Sequence, residues 1–241
     1  MSLAPNCVRS DGRRRWLSRL AFAAVGAGLA ARTLPVAAGI TDQDASTGLR
    51  AALEKGVAAA VSQLGASDGF MGNEKVRITL PGVLNDAARM LKTLGQGKRV
   101  EDLILRMNRA AEAAVPLARE ALVDAIHRMT LTDVRKILTG GDTAATQYFT
   151  EKTRESLSVK LLPTVQQSLE KVGAVAAYND FAGRASALGL LRKDASTLER
   201  HVTAKALDGV YWAIGEEERR IRQDPLGAGS EVLKRVFGSL R

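Results

Sequence analysis

From residue 46 onward, apolar residues recur three and four positions apart. Leu49, Leu53, Val57, Ala60, Val61 and Leu64 share one helical face, and Gly65 follows as a stop. The same punctuation recurs along the chain. Gly95 follows the stretch 87–94, Gly140 follows 134–139 and Gly173 follows 169–172. Glycine enters the left-handed conformation of a C-cap without steric penalty, so each of these reads as a helix end. Starts are equally legible. Thr130-Leu131-Thr132-Asp133 is a variant capping box, Ser196-Thr197-Leu198-Glu199 a regular one, and Asp142 after Gly140-Gly141 reads as an N-cap.

The longest periodic stretch is 100–129. Leu103, Met107, Ala110, Ala114, Leu117, Ala121, Ala125 and Ile126 form its buried stripe, and Pro116 must kink this helix or open a new one. Pro163 is expected to act in the same way on the stretch 142–172. Val202, Ala206, Val210, Ala213 and Ile221 give another helix over about 197–223, and a turn at 224–227 leads to a short last helix ending near Phe237. One place alternates with period two: Val76, Ile78 and Leu80 are separated by Arg77 and Thr79 and stopped by Pro81. A lone five-residue strand has no partner here, so 75–81 reads as an extended connector. The expected architecture is all-α: a single compact bundle of about eight helices over 39–241, with its core at 46–238.

The first 38 residues follow a different pattern. Six arginines (Arg9, Arg13, Arg14, Arg15, Arg19 and Arg32) accompany one acid, Asp11, and twelve uncharged residues occupy 20–31. A basic start, a short apolar centre and the small residues Val36-Ala37-Ala38 describe a signal peptide cleaved after Ala38, which makes the protein periplasmic. Arg13-Arg14-Arg15-Trp16-Leu17 fits the twin-arginine motif and equally fits a plain basic leader of the general route. Removing the leader takes away six arginines and one aspartate, so the formal charge falls from +9 to about +4. The excess of 35 Lys and Arg over 26 Asp and Glu is thus largely a property of the leader, and nucleic-acid binding is not expected. No apolar run reaches the ~20 residues of a membrane span. Cys7, the sole cysteine, precedes the apolar centre, so it is not placed to carry a lipid. The mature chain has no disulfide, no thiolate nucleophile and no cysteine ligand.

Several stretches, VSQLG (61–65), DGFMGN (68–73), MNRAAEAAVPLA (107–118), KILTGGDTAATQYF (136–149), KALDG (205–209) and EEERRIRQDP (216–225), resemble the bacterial domain of unknown function 4197 family. The resemblance spans roughly 46–238 and implies a small exported helical protein. Some members are lipid-anchored, a pattern from which this chain departs because no cysteine follows its leader. The resemblance carries no activity and no site residues.

Candidate chemistry is sparse. Gly140-Gly141-Asp142-Thr143 lies between two expected helices, so Gly141, Asp142 and Thr143 are candidates for binding an anion at a helix start. The motif lacks the Lys and Ser/Thr of a nucleotide loop, and the simpler reading is a glycine C-cap followed by an N-cap. His127 and His201 are the only histidines, and both read as surface helix positions without a neighbouring nucleophile. No Glu-x-x-His pair or four-residue His spacing points to a metal, and no ligand set points to a cofactor. Asp208, Glu112 and Arg109 are the candidates for carboxylate catalysis, for example in a hydrolase, if helix packing brings them together. Asn108 stands beside them. A buried hydrogen-bond or ion-pair network is the simpler role for the group. Glu216-Glu217-Glu218 with Arg219, Arg220 and Arg222 reads as a solvated face with Glu216–Arg220 and Glu218–Arg222 pairs. Tyr148-Phe149, Tyr178 with Phe181, and Tyr211-Trp212 serve either as core or as the lining of an apolar groove. The expected partner is an envelope protein or a small ligand.

Overall fold

In the computed structural model, residues 41–187 and 197–224 are described, apart from the side chain of Val83. Eight α-helices occur among them: α1 (Asp42–Gly65), α2 (Gly82–Leu91), α3 (Gly97–Ala114), α4 (Ala118–His127), α5 (Leu131–Thr139), α6 (Ala144–Lys171), α7 (Ala174–Ala187) and α8 (Leu198–Gln223). A π turn, Lys92–Gln96, joins α2 to α3, and a 3-10 turn, Val115–Leu117, joins α3 to α4. The helical segments over 82–127 follow one another with no intervening loop, kinked at Gly95, so that the expected eight separate helices reduce to six runs among the described residues. No strand occurs among the described residues. The helix expected near Phe237 and Ser196 of the expected capping box lie outside them.

The helices share one contiguous core. α6 packs most extensively on α8, α1 also lies on α8, and α3 lies on α6. Few aromatic side chains fill this core, which is built mostly of leucine, alanine and valine. Phe70, Phe149, Leu103, Met107 and Leu122 are fully buried among a larger set of alanines that includes Ala60, Ala110, Ala111, Ala114 and Ala118. The closeness of packing shows at Gly209 of α8, where an added Cβ would stand 2.6 Å from the Phe70 ring. Phe149, Phe181 and Tyr211 are buried, while Tyr148, Tyr178 and Trp212 are half-buried against the core.

Local signals fix several helix ends. Thr130 and Asp133 form the capping box of α5, and Thr41 with Asp44 forms another that starts α1 four residues before the expected 46. α8 is capped by Thr197, whose hydroxyl accepts from the N–H of Arg200, one residue later than the Ser196 box predicts. Gly95 and Gly173 take positive φ, at 78° and 68°. Gly140 ends α5 in an extended conformation, and Gly65 remains inside α1.

The two prolines behave differently. Pro116 turns the chain into the 3-10 segment, which shifts the phase of the stripe. Ala118, Leu122, Ala125 and Ile126 are buried on α4, whereas Leu117, expected in the stripe, is exposed. Pro163 neither ends α6 nor opens a new helix; it sits exposed within a 28-residue run whose inner face carries Leu157, Leu161, Val165 and Leu169.

The segment 66–81 crosses from α1 to α2. Its last part alternates: Val76, Ile78 and Leu80 are buried, and Lys75, Arg77 and Thr79 are exposed.

Candidate functional site

Three groups of polar residues lie on or between these helices, and two of them hold the backbone together. The first is on α3. Glu112 is almost fully buried, and its Oε1 accepts the N–H groups of Phe70 and Met71 at 3.1 and 3.2 Å. Its Oε2 accepts from Arg109 Nη1 at 2.7 Å, and the same guanidinium reaches Asp68 at 2.7 Å and Ser67 at 3.0 Å. The hydrogen bond that Arg109 donates to Glu112, with help from Asp68, raises the Arg109 pKa above its ordinary value. One turn earlier, the buried side chain of Asn108 accepts the Ile78 N–H through Oδ1 at 2.8 Å and donates through Nδ2 to the Ile78 carbonyl at 2.8 Å. A single face of α3 thus fastens both halves of the 66–81 crossing. Both Glu112 oxygens accept from donors of the fold.

The second group is at the start of α6. Asp142 does not cap this helix. Thr143 holds the N-cap position without a side-chain bond, and Gly141 and Asp142 are exposed. The orphan N–H groups are met instead by Glu218, 73 residues on in the sequence. It accepts from the N–H of Ala145 and from the N–H and hydroxyl of Thr146, each at 2.9 Å. Arg222 completes the arrangement, donating to Glu218 Oε1 at 2.8 Å and to the Ile137 carbonyl at the end of α5 at 2.8 Å. The anion position that the Gly-Gly-Asp-Thr motif offers is therefore taken by the protein's own carboxylate. This corrects the reading of 216–222 as a wholly solvated face. Glu218 is 4% exposed, while Arg219 pairs with Glu216 and Arg220 with Glu217, not with Glu216. The sequence carried a signal for this, because Glu218 continues the Val210–Ile214 stripe at four-residue spacing.

Arginines from distant helices act on carbonyls in the same way. Arg50 of α1 donates to Met129 at 2.6 Å, and Arg106 of α3 donates to the Val172 carbonyl at the end of α6.

The third group faces solvent. His201, Lys205, Asp208 and Trp212 follow one another along a face of α8, opposite the outward residues of the crossing. Lys75, Arg77, Thr79, Lys205, Asp208 and Trp212 line a cleft of about 350 Å³. Asp208 pairs with Arg154 of α6 and with Lys205 at 3.1 Å. Burial works to raise its pKa, but the hydrogen bonds from Arg154 and Lys205 outweigh it and hold the carboxyl below its ordinary range. His201 is not a free surface residue. Its Nε2 lies 2.8 Å from the Thr79 carbonyl, and burial lowers its pKa below 6.5. His127 is exposed and pairs with Glu54 at 2.8 Å. Asp208 and Glu112 are not brought together. Glu112 binds the Phe70 backbone, Asp208 opens on the cleft, and the Phe70 ring packs at Gly209 beside it.

A wider cavity of about 530 Å³ lies between α4, α5 and α6, with Tyr148, Asp133, Arg128, Lys152, Ser156 and Lys160 on its walls. Among the described residues, no cluster of three or more His, Asp or Glu side chains is placed to hold a metal ion. No described helix is long and apolar enough to cross a membrane.

No curated protein and no solved structure matches the chain. A family model described as a protein of unknown function, DUF4197, matches residues 39–238, a span that contains the Asn108–Glu112 clamp, the Glu218 cap and the α8 cleft. The chain belongs to the DUF4197 family.

Proposed function

We propose that this protein is exported, loses residues 1–38 and works in the bacterial periplasm as a binding protein, engaging an envelope protein or a small ligand without transforming it. One observation carries the reading. The buried ionisable side chains that could serve as catalytic groups are engaged with the fold, Glu112 on the Phe70 and Met71 amides and Glu218 on the start of α6. A general acid or base needs a free oxygen or nitrogen within reach of the reacting proton. The leader supports export through its arginines, its short apolar centre and the small residues at 36–38. The cavities support binding, because the two clefts described above are bordered by charged side chains. Such walls suit a polar or ionic ligand better than the apolar cargo of a lipid carrier.

Expression in a bacterial host followed by osmotic-shock fractionation and intact-mass measurement tests this reading. The expected product lies in the periplasmic fraction with Gly39 at its N-terminus. A cytosolic product that retains its arginine-rich leader would overturn it.

A further inference from the structure

The crossing between α1 and α2 places its charges by simple alternation. Residues two apart in extended chain project to the same side about 6.5 Å from one another. Because Val76, Ile78 and Leu80 are drawn into the core, Arg77 and Thr79 are set in a row on the opposite side, and Lys75, in the turn that precedes them, lines the same cleft against α8. The row is anchored. The amide and carbonyl of Ile78 are gripped by Asn108 from beneath, and the carbonyl of Thr79 meets His201 from α8. The backbone beside Arg77 is therefore held in place, which lowers the backbone ordering entropy a ligand must overcome.

The charges of this cleft do not balance internally. Its one carboxylate, Asp208, is already matched by Arg154 and Lys205. Lys75 and Arg77 have no ion-pair partner among the described residues. Beside them stands Trp212, half-buried, with an indole that offers a flat apolar wall. At about 350 Å³ the cleft falls at the small end of the roughly 300–1,000 Å³ typical of small-molecule sites.

We propose that this cleft is a binding site for a small organic anion, in which a phosphate or carboxylate head meets Lys75 and Arg77 and a planar apolar body lies against Trp212. A guanidinium next to an ammonium suits an oxyanion, since the fork takes two oxygens and the lysine adds a third contact. A nucleic acid would need the positive charge continued as a stripe across the surface. The proposal deepens the binding-protein reading and rests on it.

Tryptophan fluorescence tests it directly. The sequence has two tryptophans, so the full chain carrying Trp16→Phe reports from Trp212 alone. Phenyl phosphate, benzoate and neutral benzyl alcohol serve as probes, with inorganic phosphate as competitor. The expected result is a saturable change with one or both anions, none with benzyl alcohol, and reversal by inorganic phosphate. Arg77→Ala and Lys75→Ala should each weaken the response at least ~10-fold. Lys152→Ala, in the separate α4–α6 cavity, should leave it unchanged. Circular dichroism checks that each variant keeps its helices, and Arg77→Gln replaces Arg77→Ala if that chain does not fold. The absence of a saturable response, an equal response to benzyl alcohol, or full binding by the Lys75 and Arg77 variants would overturn the proposal. A failed titration removes the cleft and leaves the fractionation result standing, whereas an unprocessed cytosolic product removes the periplasmic role and leaves the titration intact.

Discussion

Glu218 shows how much one side chain contributes when it meets several backbone groups at once. Its removal would strand two amide donors and a hydroxyl at the start of α6 and break the ion pair with the largely buried Arg222. Breaking a buried pair from one side costs about 3–5 kcal/mol. Glu218→Ala is therefore expected to lose about that much in urea unfolding. Glu216→Ala, two residues away on an exposed pair, should change stability by no more than about 0.5 kcal/mol. His201 gives a pH signature. Burial disfavours its charged form in the folded protein, so the unfolded chain takes up the proton first as pH falls. Its contribution to stability is complete above pH 6.5 and declines as pH drops from 6.5 through the lower folded value. An NMR titration of the imidazole should give a midpoint below 6.5, and His201→Gln should flatten that part of the stability profile.

At the level of elements, α6 carries a proline that its packing tolerates. Pro163 lacks the N–H that would reach back one turn, and proline inside a helix is about 3 kcal/mol less favourable than alanine. Part of that is offset by the stiffer unfolded chain, so Pro163→Ala should stabilise the protein by roughly 1–3 kcal/mol, read as a rise in Tm. The sequence overstated this residue because a helix held along its whole inner face by Phe149, Leu157, Leu161, Val165 and Leu169 outweighs one local defect. Where signals were local they were legible. The Thr130–Asp133 box, the left-handed Gly173 and the alternation at 76–80 all depend on residues within four positions of one another. What was not legible joins distant positions. Nothing in the spacing says that Glu218 reaches Ala145, that Arg50 reaches Met129, or that Lys75 and Arg77 face Trp212. The stripe through 210, 214 and 218 marked Glu218 as inward but could not name what it meets. Leu117 was misplaced because a 3-10 turn advances the helical phase, which a uniform period does not register.

For the whole molecule, the same device recurs in different helices: a charged side chain from one helix closes the open end of another, or holds the crossing. The α3 clamp and the α8 cap share no hydrogen-bonding partner. Their losses should therefore add. The Glu112→Ala, Glu218→Ala double variant is expected to match the sum of the single variants to within about 0.5 kcal/mol in a double-mutant cycle. A larger coupling would mean that the two sites respond to one shared rearrangement of the core.

Asn108 does for Ile78 what a neighbouring strand does in a sheet, presenting one donor and one acceptor side by side. Aspartate, its nearest isostere, would set an oxygen against the Ile78 carbonyl, and leucine would leave both groups dry. A helical protein thus holds both backbone groups of Ile78, in the extended part of its crossing, with one carboxamide. With Asn108→Asp, a protease added at low concentration should nick 66–81 before any helix, whereas the parent chain stays whole there.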